Sequence, residues 1–275
     1  MSSESVAAHY GRGGLGAAIL AALEAAGKDT AALTQDDLAS VDELHIRGRE
    51  ATAEVAEAAG IGPGQRVLDV GCGIGGPSRY LAAARGCEVT GLDLTQEFCD
   101  VATMLAERTG LTDRVSYRQG DALDMPFEDA SFDVAWTQHA AMNIADKPRL
   151  YAEMRRVLKP GGCLAIYDIL AGPAGPIHFP VPWAHEPSIS FLATPDELRA
   201  LLTGAGFQVK SWRDTTAAAA DWFARVRAQA EDGSPPLNNL ALLFGDLAPT
   251  LAGNMARNVG EQRILTIQIV ARAAG

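Results

Sequence analysis

The 275-residue chain has few cysteines, few aromatics, a deficit of basic residues and no long apolar run. Its four cysteines, Cys72, Cys87, Cys99 and Cys163, stand singly, without a CxxC pair or a zinc spacing. Each therefore reads as a small core residue, and the expected compartment is a reducing cytoplasm. Lysine and arginine number 23 against 34 aspartates and glutamates, a formal net charge of −11. A duplex nucleic-acid partner needs a basic face, so this balance argues against one. The apolar piece from Leu15 to Ala26 is too short to cross a bilayer and is broken by Glu24, and no basic segment leads into an apolar core near the N-terminus. Secretion and membrane spanning are not expected. Nor is a metal, because His178 and His185 lack the third histidine or carboxylate pair that would complete a site.

What the chain does have is the stretch Arg66-Val67-Leu68-Asp69-Val70-Gly71-Cys72-Gly73-Ile74-Gly75-Gly76, a buried strand running into a glycine-rich turn. Pro77 follows, where a first helical residue tolerates a missing N–H. Gly71, Gly73 and Gly76 allow a sharp turn and close approach of a ligand to the backbone and to the free N–H groups of the helix start. The spacing also fits the dinucleotide fingerprint, which several nucleotide-binding families share. Asp69, inside the strand end, is a buried carboxylate that needs a hydrogen-bond network or a cation. Asp93 closes the next apolar run, where an acid meets ribose hydroxyls. Together they suggest a nucleoside ligand carrying positive charge rather than a pyrophosphate.

The stretch from Val67 to Gly76 resembles the first motif of class I S-adenosylmethionine-dependent methyltransferases, and later stretches follow in order. Asp93 matches the ribose-binding acid, Gly120-Asp121-Ala122 the turn at adenine, Phe132-Asp133-Val134-Ala135-Trp136 the fourth strand, and Leu158-Lys159-Pro160-Gly161-Gly162 the turn before the fifth. The resemblance covers roughly residues 45 to 213. It implies an α/β Rossmann-like sheet, mostly parallel with the last strand antiparallel, and S-adenosyl-L-methionine as cofactor with S-adenosyl-L-homocysteine as product. It also implies that Gly71, Gly73 and Gly76 pass the methionine part, Asp93 and Leu94 meet the ribose, Asp121 and Ala122 meet the adenine, and Gln138 borders the methyl group.

Alternating patterns place helices at 14–26, 47–59, 77–85, 95–108, 146–157 and 195–203, with a short capping-box start at Thr34-Gln35-Asp36-Asp37. Strands are expected at 66–70, 87–93, 114–119, 131–137, 162–169, 207–213 and 262–272. Residues 1–60 form an N-terminal helical cover and 61–275 a methyltransferase domain with lid insertions at 170–193 and 214–260. The first insertion is rich in proline and glycine, follows the fifth strand, and should hang over the edge where open α/β sheets bind ligands.

His139, just past the fourth strand, is the candidate general base, since an imidazole suits proton transfer near neutrality. The other reading is a histidine that orders the loop or shapes the pocket. Asn143 stands where phosphoethanolamine and aromatic methyltransferases have histidine; it either bonds substrate or caps a helix start. His45 and Arg47 resemble the segment that closes on the methionine end in sarcosine/dimethylglycine-type enzymes, with Arg47 pairing the cofactor carboxylate and His45 near the substrate. Tyr10 is a further lid candidate. His178, Phe179 and Trp183 make an aromatic and imidazole cluster for an apolar or cationic small molecule, or else anchor a proline-rich loop. The phrase Phe179-Pro180-Val181-Pro182-Trp183-Ala184 resembles the lid of the same N-methyltransferases, yet the segment 170–193 contains neither arginine nor lysine to hold a substrate carboxylate.

The expected activity is methyl transfer by in-line displacement to a nitrogen or oxygen of a small-molecule metabolite or natural product. Carbon methylation is the near alternative. A protein of this type that binds the cofactor without transferring methyl, and an NAD-dependent oxidoreductase, are the remaining readings. The oligomeric state and the accepting atom are open at this level.

Overall fold

A computed structural model describes residues 13–232 and 239–274. Seven strands, β1 (Arg66–Val70), β2 (Glu88–Asp93), β3 (Val115–Gln119), β4 (Phe132–Gln138), β5 (Leu158–Ala171), β6 (Phe207–Asp214) and β7 (Ile264–Ala273), form one sheet in the order β3-β2-β1-β4-β5-β7-β6. Strand β7 runs antiparallel to both of its neighbours, and the other pairings are parallel. This is the class I methyltransferase sheet.

The helices are α1 (Leu15–Ala25), α2 (Gln35–Leu38), α3 (Gly48–Ala58), α4 (Gly76–Tyr80), α5 (Gln96–Arg108), α6 (Lys147–Val157), α7 (Pro195–Gly204), α8 (Thr216–Glu231), α9 (Asn239–Phe244) and α10 (Ala248–Gly260). Alternation along each strand sorts the side chains onto two faces. Val67, Val134, Trp136, Ala165 and Tyr167 pack against Ala51 and Val55 of α3 and against Leu81 and Ala82. Leu68, Val70, Ala135, Leu164 and Ile166 pack against Leu150 and Met154 of α6 and Leu198 and Leu202 of α7. Both faces are covered, which is why the central strands read as continuous apolar runs.

Local chemistry sets the element ends. The Thr34 hydroxyl accepts from the Asp37 N–H while Asp37 accepts from the Thr34 N–H, so aspartate completes the capping box over α2. Thr194 and Glu197 do the same for α7, with Pro195 at its first position. The helix expected at 77–85 is α4 followed by a wider turn of helix over Leu81–Arg85. The expected turn at 158–162 belongs to β5 instead: Leu158 pairs with Phe132 across a register shift, and Lys159 reaches Asp133 at 2.7 Å.

The cover and the insertions meet over one edge of the sheet. Leu15, Ile19 and Leu23 of α1 pack on Phe98, Val101 and Leu105 of α5, with Leu242 and Leu243 of α9 against the same cluster. Val181, Trp183 and Ala184 of the proline-rich loop pack with Ala219 of α8, Met255 and Val259 of α10, and Ile46 of the cover. Between cover and glycine loop lies a fully buried ion pair, Arg79 Nη2 to Asp42 Oδ2 at 2.8 Å.

Gly76 is part of this contact. A Cβ there would lie 2.2 Å from the Asp42 carbonyl oxygen, so only glycine lets the helix start and the cover touch. Removing one member of a buried pair leaves an uncompensated charge, which costs roughly 3–5 kcal/mol. Asp42→Ala is expected to lower the unfolding free energy by about that amount in urea denaturation; an unchanged midpoint would show that the pair does not hold the cover.

Candidate active site

A cavity of about 740 Å³ opens beyond the C-terminal ends of β1, β2 and β4, at the point where the strand order reverses between β1 and β4. Open α/β sheets bind ligands there because the chain departs to opposite sides and leaves a crevice. The glycine loop and the tips of β2 and β4 form its floor, residues 39–50 of the cover one wall, and the proline-rich loop with α8, α9 and α10 the far end.

The end beside the glycine loop is acidic. Asp93 accepts from the Gly73 N–H through Oδ2 and from the Thr95 N–H through Oδ1, both at 2.9 Å, which fixes its carboxylate at the tip of β2. Burial raises its pKa against these hydrogen bonds. Asp69 accepts from the Ser78 hydroxyl at 2.6 Å, and burial pushes it up to about 7. Leu94, Asp121 and Ala122 line the same end, with Asp121 also accepting the Leu123 N–H at 2.8 Å. Gly71 lies in this floor at φ +76, where a Cβ would meet Ala140 at 2.5 Å. Gly73 lines the floor as well, but Gly76 does not, contrary to expectation, because its open face is turned to Asp42.

His139 stands between the two ends, at the turn that leaves β4. Its backbone is left-handed, φ +47, and its N–H donates to the Tyr167 carbonyl at 2.9 Å. The imidazole lies 4.9 Å from the Tyr167 ring and 5.8 Å from that of His45. Burial, and secondarily the neighbouring His45, holds its pKa well below 6.5, so the ring is neutral at physiological pH and its Nε2 is buried without a partner. Burial also pushes the Tyr167 phenol up to about 12, leaving it protonated.

Gln138 is oriented by its neighbours. Its Oε1 accepts from the Trp136 indole N–H at 3.1 Å and lies 3.3 Å from the Thr52 hydroxyl oxygen. An indole nitrogen only donates, so the amide cannot be turned round, and Nε2 is left buried with no partner. Thr52 gives its one hydroxyl proton to Glu43 at 2.8 Å, and Glu43 faces His45 Nε2 at 2.9 Å. Burial opposes ionisation of Glu43, but the bond and charge of His45 and the bond from Thr52 outweigh it and keep its pKa lowered. The remaining His45 nitrogen faces the Ile46 carbonyl at 3.2 Å. His45 lines the cavity with both nitrogens engaged by the protein.

Arg47 also lines the cavity, yet its Nη1 and Nη2 donate to Glu54 at 3.1 and 2.6 Å, and only its buried Nε has no partner. Asn143 neither caps a helix nor stands free. It lies in a short turn after β4, and its amide donates to the Trp183 carbonyl at 2.7 Å, tying the proline-rich loop to the cavity rim. Trp183 lines the far end with its indole N–H on Ser190 at 2.9 Å. His178 and Phe179 are corrections to the substrate set. His178 binds Glu261 at 2.8 Å on the outer side, Phe179 packs into the loop's own cluster, and neither lines the cavity. Tyr10 lies outside the described residues.

The sequence reading missed much of the far wall: Trp222 and Phe223 of α8, Phe244 of α9 and Met255 of α10. The adjacent aromatics in an alanine-rich helix were the available signal. It also missed Glu43, whose spacing of two from His45 hinted at a pair.

The donor set fits a nucleoside with a positively charged centre: a fixed acceptor at Asp93, further carboxylates beside it, and unpartnered polar atoms on Gln138, His139 and Arg47 along the same cavity. Among the described residues no helix is long and apolar enough to cross a membrane, and no group of three potential ligands could hold a metal.

Residues 68–166 match the family Methyltransf_11, described as a methyltransferase domain. A sterol 24-C-methyltransferase ERG6B of Gibberella zeae is 44% identical over 111 residues, 40% of this chain and 29% of that protein. Methyltransferase GfsG of Streptomyces halstedii is 39% identical over 134 residues, 49% of this chain and 48% of that protein. The matched stretch thus spans less than half of either relative. The crystal structure of the [4+2]-cyclase SpnF shares the fold with a TM-score of 0.70 at 23% identity, covering 100% of this chain and 97% of that one.

A cation entering the cavity favours the ionised form of Asp69, whose empty-state pKa of about 7 leaves it partly protonated near neutrality. Binding of S-adenosylmethionine at pH 6.5 is therefore expected to release protons, seen as a dependence of calorimetric enthalpy on buffer ionisation. An Asp69→Asn variant should lose that release; equal release from both proteins would assign it elsewhere.

Proposed function

We propose that this chain, whose residues 68–166 are a methyltransferase domain of the class I type, transfers a methyl group from S-adenosylmethionine to a nitrogen or oxygen of a small molecule. The observation that carries the reading is the placement of His139, a neutral imidazole whose buried Nε2 has no hydrogen-bond partner, between an acid-lined end and an apolar end of one cavity. The domain match and the fold support it over an oxidoreductase reading of the glycine spacing. Carbon methylation is the second reading, and the sterol C-methyltransferase among the relatives favours keeping it.

The sulfonium supplies an electrophilic methyl group and a neutral thioether leaving group. The protein's part is to hold the ligands and to manage one proton. Asp93 would receive the ribose hydroxyls and Asp121 with Ala122 would border the adenine, with Leu94 between them. Arg47 Nε is the one nitrogen of that guanidinium without a bond to Glu54. Gln138 and His139 lie at the tip of β4, from which they would face the acceptor's reacting atom. An uncharged imidazole can take the proton of a hydroxyl or ring N–H as the new bond forms, and the Tyr167 face limits its rotation. The cover and the aromatic far wall exclude water from the displacement.

General-base catalysis contributes about 10²–10⁴-fold. His139→Gln is expected to lower kcat by about 100-fold at pH 7 with unchanged affinity for S-adenosylhomocysteine. Because burial depresses the imidazole pKa, wild-type kcat should stay flat on lowering the pH through 6.5 and fall only in more acid solution. Calorimetric binding of the cofactor combined with mass-spectrometric gain of one methyl on phenols, amines or heteroaromatics tests the reading. Full turnover by the variant across pH 6 to 9 would remove His139 as base, and cofactor returned intact after substrate conversion would point to a role without methyl transfer.

A further inference from the structure

We propose that the acceptor is an uncharged, largely apolar molecule with a carbonyl or hydroxyl oxygen beside its reacting atom, and that Gln138 Nε2 is the group that selects for that oxygen. The proposal deepens the methyltransferase reading and rests on it for the word acceptor.

Three observations converge. The first is the fixed amide. Trp136 donates its indole N–H to Gln138 Oε1, so the side chain presents a donor and not an acceptor, and that donor is unsatisfied although the residue is only 7% exposed. A buried N–H without a partner costs about 1–3 kcal/mol, a penalty that a ligand oxygen in the cavity relieves.

The second is the charge of the walls. The arginines lining the cavity are both charge-paired: Arg47 to Glu54 through Nη1 and Nη2, with only its Nε unpartnered, and Arg49 to Glu43 at 3.4 Å and Asp36 at 3.2 Å, with the Gln35 carbonyl at 2.7 Å. No lysine lines it among the described residues, and Glu43, Asp69, Asp93 and Asp121 do. A carboxylate or phosphate on the acceptor would be desolvated among carboxylates with no spare guanidinium, which is costly.

The third is the far wall. Trp183, Phe191, Trp222, Phe223, Phe244 and Met255 surround the space beyond His139 with aromatic and thioether surface. Such a wall contributes roughly 25 cal/mol per Å² of apolar area removed from water and suits an extended apolar body better than a compact polar metabolite.

The test measures binding, not turnover, with saturating S-adenosylhomocysteine and three probes of one shape: naphthalene, acetylnaphthalene and naphthoate. Equilibrium dialysis is expected to rank acetylnaphthalene roughly 3–10-fold tighter than naphthalene, the worth of one added hydrogen bond. Naphthoate should bind roughly tenfold or more weakly than the ketone. In Gln138→Met, a change of similar volume without the donor, the ketone should lose its advantage while naphthalene keeps its affinity. A thermal melt checks that this variant folds; if it does not, the wild-type ranking decides alone. Naphthoate binding as well as the ketone, or the ketone binding no better than naphthalene, would overturn the proposal. Failure of S-adenosylhomocysteine to bind would instead count against the methyltransferase reading, and the probe ranking in the cofactor-free protein would still test the role of Gln138.

Discussion

The buried guanidinium of Arg79 is the contact on which the site's geometry depends. It is fully excluded from solvent and donates to the Ile74 carbonyl at 2.8 Å, the Ala102 carbonyl at 3.3 Å, the Tyr117 hydroxyl at 3.5 Å and Asp42 at 2.8 Å. Those partners belong to the glycine loop, α5, β3 and the cover. The two terminal nitrogens of the rigid fork make all of these bonds, Nη1 the first three and Nη2 the one to Asp42, while Nε is buried without a partner. With Asp42 held there, the next residue, Glu43, is drawn under Thr52 and His45, and Thr52 in turn packs its hydroxyl 3.3 Å from Gln138 Oε1. The cover is thus coupled to the tip of β4 by this contact.

That coupling separates two environments within one cavity. At the glycine loop, backbone N–H groups and carboxylates face each other, and Asp93 is fixed by two of those N–H groups. Beyond His139 the walls become apolar, contributed by segments far apart in sequence: the cover at Ile46, the turn at Met142, the proline-rich loop and the helices of the second insertion. The imidazole sits at the boundary, where low polarity keeps it neutral.

Most of the sheet was legible because its signals are local. Period-two apolar runs, caps such as Thr194 with Glu197, and the glycine turn after Val70 each act within a few residues. The boundary of β5 was not, since the Lys159-Pro160-Gly161-Gly162 stretch reads as a turn, and the strand reaches back over it only because Leu158 pairs with Phe132 before pairing resumes at Cys163. Within the site, the positions at strand tips, Asp93, Gln138 and His139, follow from topology and lie in the cavity. Arg79 and Asp42 drew no expectation from the sequence, since nothing in their own neighbourhoods announces a partner 37 residues away. His178 misled for the converse reason: its aromatic neighbours suggested a pocket, whereas Glu261, distant in sequence, holds it on the outer side. Trp222 and Phe223 are adjacent in α8 and Phe244 ends α9, so neither pattern tells which face turns to a ligand.

The most direct measurement of the central claim, that nucleoside and acceptor meet at His139, is a crystal structure of the protein with S-adenosylhomocysteine. The account predicts ribose hydroxyls on the Asp93 carboxylate and the thioether sulfur turned toward Gln138 and His139, with the apolar end left open for the acceptor. A nucleoside bound outside this cavity, or a sulfur directed away from His139, would contradict it.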